Sequence, residues 1–192
     1  MKRLLLASSG IGALSQLVGG ETQGLRFVFV PTAAGPNAEE QFWVQADRRQ
    51  LKTLGCAVTT LDLAAADAEE VRAALVQADG VFVTGGDTEL LVRHARESDF
   101  ADEVVPLVES GALLYAGTSA GAILAGPREG ELGLVTFTVL PHDQEPERAA
   151  RHDELVVGNP ASEFVRLTDD RAALVRGDSV EVVDSPHVGG GL

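Results

Sequence analysis

Positive charge is scarce in this sequence. Its 192 residues carry 15 Lys and Arg against 29 Asp and Glu, a formal net charge of −14. Nucleic-acid binding needs clustered cations to neutralise phosphates, so this balance speaks against nucleic acid as a partner. It also means that an acidic ligand has to be held by local cations. Cysteine is nearly absent: Cys56 stands alone, so no disulfide can form within the chain. That fits a reducing compartment, and cytoplasmic residence is the expectation. Cys56 lies between Gly55 and Ala57 at the start of an apolar run and reads as a buried structural thiol. No apolar stretch reaches the ~18 residues of a membrane-spanning helix, so no membrane partner is expected. The apolar core of Lys2 to Ala7 is too short for a signal peptide and reads as a first strand. Metal-ligand spacings, phosphate-loop patterns, internal repeats and inter-domain linkers are all missing. Residues 1–192 therefore read as one domain with no metal and no cofactor.

What is present centres on Gly117-Thr118-Ser119-Ala120-Gly121. An apolar run, Ala112 to Ala116, leads in and reads as a buried strand. Ala122 to Ala125 leads out and reads as the first turns of a helix. Between them lies G-x-S-x-G, the pattern of a tight strand-to-helix turn that lifts a serine hydroxyl above the end of a sheet. Glycines on either side relieve the crowding of so sharp a turn. The following helix supplies unpaired N–H groups and a positive dipole end, which suit a developing oxyanion.

Along the chain, short apolar runs alternate with helical spacing. Strands are expected at Lys2–Ala7, Leu25–Val30, Ala57–Leu61, Val81–Val83, Ala112–Ala116 and Gly133–Leu140. A helix from Asn37 to about Leu54 is predicted, capped by Asn37 with Glu40 and burying Phe42, Trp43, Ala46, Leu51 and Leu54. A second begins at the capping box of Asp67 and Glu70. Helical spacing resumes at Leu90, Leu91 and His94 and continues toward Gly111, with Pro106 at a first turn or kinking the helix. This alternation predicts an α/β fold, a doubly wound and mostly parallel sheet flanked by helices. In such sheets the loops at the carboxyl ends of the strands share one edge. The Gly85-Gly86 turn should then lie beside Ser119. Beyond residue 154, Leu155–Val157, Phe164–Leu167, Ala172–Val175 and Val180–Val183 read as short antiparallel strands, punctuated by Asp169-Asp170 and Gly177-Asp178. The glycine run at 189–191 is expected to be disordered.

His142 closes the strand that follows the elbow. That is where a general base for Ser119 would stand. Taken together, Gly85-Gly86-Asp87-Thr88, Gly117 to Ala122 and Pro141-His142 resemble the S51 peptidase family, which includes dipeptidase E and cyanophycinase. Ser8-Ser9-Gly10 and Val30-Pro31-Thr32-Ala33 are similar to it too. The resemblance implies a fold like the class I glutamine amidotransferases with serine as nucleophile. It implies a serine exopeptidase or dipeptidase acting on short acidic peptides, notably Asp-X, and a homodimer. Carried over by position, Ser119 attacks, His142 moves the proton, and the N–H groups of Gly86 and Ala120 form the oxyanion hole. Asp87 and Thr88 would line the pocket. Arg148, in Glu147 to Arg151, would clamp the substrate carboxylate; a surface ion pair is its other reading. The family pattern places a triad aspartate between the elbow and the histidine. Here Gly126 to Glu131 holds none, which leaves Glu131, Glu129, Asp143 or a plain Ser-His dyad. Glu131 is favoured, because strand alternation points Asp143 away from His142. The missing aspartate also motivates a second expectation, a noncatalytic relative that binds an amino acid or peptide. A small-molecule esterase or amidase is a third.

Overall fold

Five parallel strands form the centre of the molecule in the computed structural model, which describes residues 1–189. They are β1 (Arg3–Ala7), β2 (Arg26–Val30), β3 (Ala57–Thr60), β4 (Gly80–Val83) and β5 (Leu114–Thr118). β4 and β5 are buried along their whole length. Helices cover both faces, which is why these strands read as continuous apolar runs instead of alternating ones. The strand order is β3-β2-β4-β5-β1-β8-β9, where β8 (Arg171–Arg176) and β9 (Ser179–Asp184) are antiparallel additions. The fold is thus the expected α/β sheet, mostly parallel, with antiparallel strands near the C-terminus.

Side chains alternate between two cores. Leu4, Leu6, Val28, Val30, Val81, Val83 and Tyr115 pack on one face. Leu5, Ala7, Phe27, Phe29, Phe82 and Ala116 pack on the other. That is the period-two consequence of a pleated strand. The helices are α1 (Leu14–Val18), α2 (Phe42–Thr53), α3 (Ala68–Val76), α4 (Thr88–Glu97), α5 (Phe100–Ser110), α6 (Ala120–Leu124) and α7 (Pro146–Gly158). A small second sheet pairs β6 (Phe137–Leu140) with β7 (Glu163–Arg166).

Register decides what meets at the sheet edge. Val83 lies opposite Gly117, and Ala7 lies opposite Thr118. The carboxyl ends of β4, β5 and β1 therefore stop side by side. Because β8 runs the other way, with Ala172 opposite Ala7, its beginning reaches that same edge.

Several expectations need correction. Asn37 and Glu40 form no capping box: Ala38–Glu40 is a separate 3-10 turn, and α2 starts after Gln41, which makes no side-chain cap. The buried face of α2 is Val44, Asp47, Gln50 and Leu51, whereas Phe42 is exposed. The capping box of Asp67 and Glu70 does form. The segment leading to Gly111 is two helices, broken at Ser98-Asp99 where Asp99 takes φ 55°, and Pro106 sits inside α5. Leu155 to Val157 are helical, because Pro146 starts α7 at a position that needs no N–H bond and the helix runs through them. β7 pairs with β6 in parallel, not antiparallel. Of the glycine run, residues 190–191 lie outside the described residues. Cys56 is buried, and burial pushes its thiol up to about 11.

Candidate active site

Packing constraints build the elbow. A Cβ on Gly117 would come within 2.5 Å of the Gly121 carbonyl, and one on Gly121 within 2.0 Å of the Val83 carbonyl oxygen. The two glycines thus let α6 press directly onto β5 and β4. The buried Tyr115 hydroxyl donates to the Gly121 carbonyl at 2.6 Å and fixes the same crossing. Ser119 is left at φ 48°, ψ −110°, a conformation that non-glycine residues avoid. Among the described residues, three non-glycines have positive φ, and two are Ser119 and His142, the latter at 60°. Backbone strain of this kind persists where surrounding structure enforces it, and it gathers at functional sites.

The expected neighbours do converge. A Cβ on Gly85 would sit 3.0 Å from Ser119 Cβ, so the turn after β4 touches the elbow. Gly86, at φ 147°, has no room for a side chain against the Ala33 carbonyl oxygen. Ala120 opens α6, and the first N–H groups of a helix have no intrahelical acceptor. Ser119 Oγ is 3.0 Å from His142 Nε2. The other ring nitrogen, Nδ1, is 2.6 Å from Asp169 Oδ1. Ser8 braces both: its hydroxyl donates to Asp169 Oδ1 at 2.8 Å and accepts the His142 backbone N–H at 2.8 Å.

The partner of the imidazole is therefore Asp169 and not Glu131. Glu131 accepts the Arg128 backbone N–H at 3.0 Å and closes its own turn, where burial raises its carboxyl. Asp143, which adjoins His142 in sequence, accepts from His152 and Arg166 instead. Burial opposes ionisation of Asp169, but the Ser8 hydroxyl and the His142 charge outweigh it and hold the carboxyl below its ordinary range. Sequence reading took Asp169 only as a turn residue. Asp87 and Thr88 also differ from expectation. The Asp87 carboxylate accepts the Leu90 N–H and caps α4, while Thr88 borders a separate cavity with Arg93, Arg96 and Glu131.

Ser119 and His142 open onto a cavity of about 300 Å³, also lined by Ser8, Trp43, Asp47, Gly86 and Arg148. Arg148 lies in the first turn of α7, which follows His142 closely, and its Nε donates to Glu145 at 2.7 Å. Arg148 is thus ion-paired, as its surface reading expected, and it also lines the cavity.

Asp47 was not singled out by the sequence. The residue is only 6% exposed. Burial pushes it up to about 6, against the opposing pull of hydrogen bonds from Thr84, Thr118 and Gln50. No cation pairs with it among the described residues. A carboxyl raised in the folded state costs stability when ionised. The cost is in full force above the folded value near 6 and fades as pH falls toward the unfolded value near 4. Asp47→Asn is therefore expected to be more stable than wild type by up to roughly 3 kcal/mol at pH 8. The advantage should vanish by about pH 4, as read by urea unfolding at both pH values.

A strand-turn-helix serine, a histidine at hydrogen-bond distance and a carboxylate behind it stand in one hydrogen-bonded line at the edge of the sheet. The model of peptidase family S51 matches residues 7–183, and the chain belongs to that family of peptide-bond hydrolases. An uncharacterized peptidase of Listeria monocytogenes is 28% identical, covering 94% of this chain and 97% of that protein. A peptidase E of Streptomyces coelicolor is 28% identical, covering 91% and 84%. A crystal structure from Listeria monocytogenes, provisionally assigned to peptidase E, superimposes with a TM-score of 0.83 at 26% identity, covering 96% and 98%. No helix among the described residues is long and apolar enough to cross a membrane.

Proposed function

We propose that this chain is a serine exopeptidase that cleaves short peptides beginning with aspartate through an acyl-enzyme intermediate. The observation that carries the reading is the continuous relay from Ser119 Oγ to His142 at 3.0 Å and on to Asp169 at 2.6 Å. Ser119 Oγ attacks the scissile carbonyl while His142 Nε2 accepts its proton. Asp169 holds the Nδ1–H and stabilises the imidazolium that forms. The Gly86 and Ala120 N–H groups receive the oxyanion, each such donor being worth about 3 kcal/mol of barrier. His142 then gives the proton to the leaving amine. Water, activated by the same imidazole, hydrolyses the ester and returns Ser119.

Specificity for an acidic first residue rests on Arg148. In a chain of net charge −14, a guanidinium at the cavity wall supplies the local cation that an aspartate side chain requires. A panel of Asp-X dipeptides, Ala-X dipeptides and Asp-p-nitroanilide tests this. Asp-X should be hydrolysed best, and Arg148→Ala should raise KM for Asp-X about 10- to 100-fold, the worth of a charged hydrogen bond. Turnover of Ala-X should change little. Absence of turnover across the panel by the wild-type protein rejects the peptidase reading, and an unchanged Asp-X preference in the variant rejects the clamp.

A further inference from the structure

The two loops that meet at the reaction centre share a buried anchor. β4 ends at Thr84, immediately before Gly85-Gly86. β5 ends at Thr118, immediately before Ser119. Both hydroxyls donate to one oxygen of Asp47: Thr84 Oγ1 at 2.5 Å and Thr118 Oγ1 at 2.7 Å from Oδ2. Asp47 sits on the buried face of α2, and so does Gln50 one turn later. Gln50 Oε1 accepts the backbone N–H groups of Ile11 and Val188, both at 3.2 Å. Its Nε2 donates to the Ser9 carbonyl at 3.4 Å. A single helix face thus grips the ends of β4 and β5 through Asp47 and the segment after β1 through Gln50.

We infer that Asp47 is a positioning residue, setting the oxyanion turn and the nucleophile elbow in mutual register by accepting both threonine hydroxyls at one carboxylate oxygen. This rests on the reading of Ser119 as the nucleophile. Three observations favour it over a role in stability alone. The carboxylate has no ion-pair partner among the described residues, and burial raises its pKa, so it weakens the fold near neutral pH. Its two hydroxyl partners each precede, by one residue, a segment that faces the reacting carbonyl. Finally, the elbow is strained at Ser119, and a strained turn needs restraint from outside itself. A carboxylate oxygen accepts two donors at once, and its charge makes both hydrogen bonds stronger than a neutral acceptor would. The amides of Gly86 and Ala120 belong to different loops, so their spacing depends on a tie between those loops. Misplacement by about 1 Å costs on the order of 100-fold in rate.

The test compares Asp47→Ala, Thr84→Val, Thr118→Val, Thr118→Ser and the double variant Asp47→Ala/Thr118→Val. Two readouts are taken: kcat and KM for an Asp-X dipeptide, and the rate at which a fluorophosphonate labels Ser119. Each variant's folded fraction is fixed independently by urea unfolding. The expected result is a fall of about 10- to 100-fold in kcat and in labelling rate for the Asp47 and valine variants, with KM changed far less. The double variant should be no slower than Asp47→Ala alone, because both remove the same tie. Thr118→Ser, which keeps the hydroxyl, should restore most of the rate. The inference is overturned if the valine variants match wild type, if rate falls only with folded fraction, or if Thr118→Ser is as slow as Thr118→Val. A wild type inert to both peptide and fluorophosphonate overturns the nucleophile reading and this one with it. Normal wild-type labelling with unaffected Asp47 variants overturns this one alone.

Discussion

Ser119→Ala is expected to lower kcat by about a million-fold, the loss seen when a triad nucleophile is removed from a site whose members act as a unit. The fold should be intact. Alanine keeps the Cβ that already occupies the tight turn, and the backbone at φ 48° stays as strained as before. Among the described residues, the serine hydroxyl hydrogen-bonds to His142 alone. Thermal unfolding should therefore match wild type while turnover and fluorophosphonate labelling disappear together. A variant that retains turnover on an Asp-X peptide at more than about a thousandth of the wild-type rate, roughly a thousand-fold above the level expected without the nucleophile, would mean another nucleophile.

The second large effect concerns the carboxylate that the sequence did not reveal. Asp169→Asn should lower kcat by about 10,000-fold with little change in KM. The reason lies in the geometry around Oδ1, which accepts the Ser8 hydroxyl and faces His142 Nδ1 at 2.6 Å. An amide turned to donate there would force the proton onto Nε2, and a protonated Nε2 cannot accept from Ser119. An amide turned the other way keeps the tautomer but loses the charge that stabilises the imidazolium. Glu131→Gln is the comparator. Its carboxylate closes the turn at Arg128, so kcat should stay close to wild type. If the two variants exchange behaviours, the imidazole is held by a different acid from the one the geometry indicates.

The contrast between these residues shows what a sequence can carry. Ser119 was legible because its chemistry needs a local pattern: glycines at 117 and 121 are demanded by contacts of 2.5 and 2.0 Å, and those demands are written into five consecutive positions. His142 was legible by its place at a strand end. Asp169 had no such signature. It reaches the site only because β8 lies antiparallel to β1, with Ala172 opposite Ala7, and strand order is a property of the whole sheet. Its resemblance to a turn residue was correct as far as local structure goes, since the chain turns there into β8. Asp47 was hidden for another reason. The expected apolar face of its helix was drawn from Phe42, Trp43, Ala46, Leu51 and Leu54 and passed over the acidic residue among them, which is buried against Thr84 and Thr118. The segment at Leu155 to Val157 misled through β-branched residues. Pro146 as a first helical residue, with Arg148, His152 and Leu155 at helical spacing, was the signal that outweighed them. The fold class survived these misreadings because it depends on the order of strands and helices, not on their boundaries.

The antiparallel placement of β8 has a consequence in time. A ribosome delivers the elbow first, the imidazole next and the acid last, and chains fold from the N-terminal side as they emerge. Until the strand beginning at Arg171 docks beside β1, the contacts that bring Asp169 to Ser8 and Gly10 are not made. On the proposed mechanism, nascent and truncated forms carry a nucleophile without its full relay, and a newly made molecule becomes able to cut peptides only once most of its length has been synthesised.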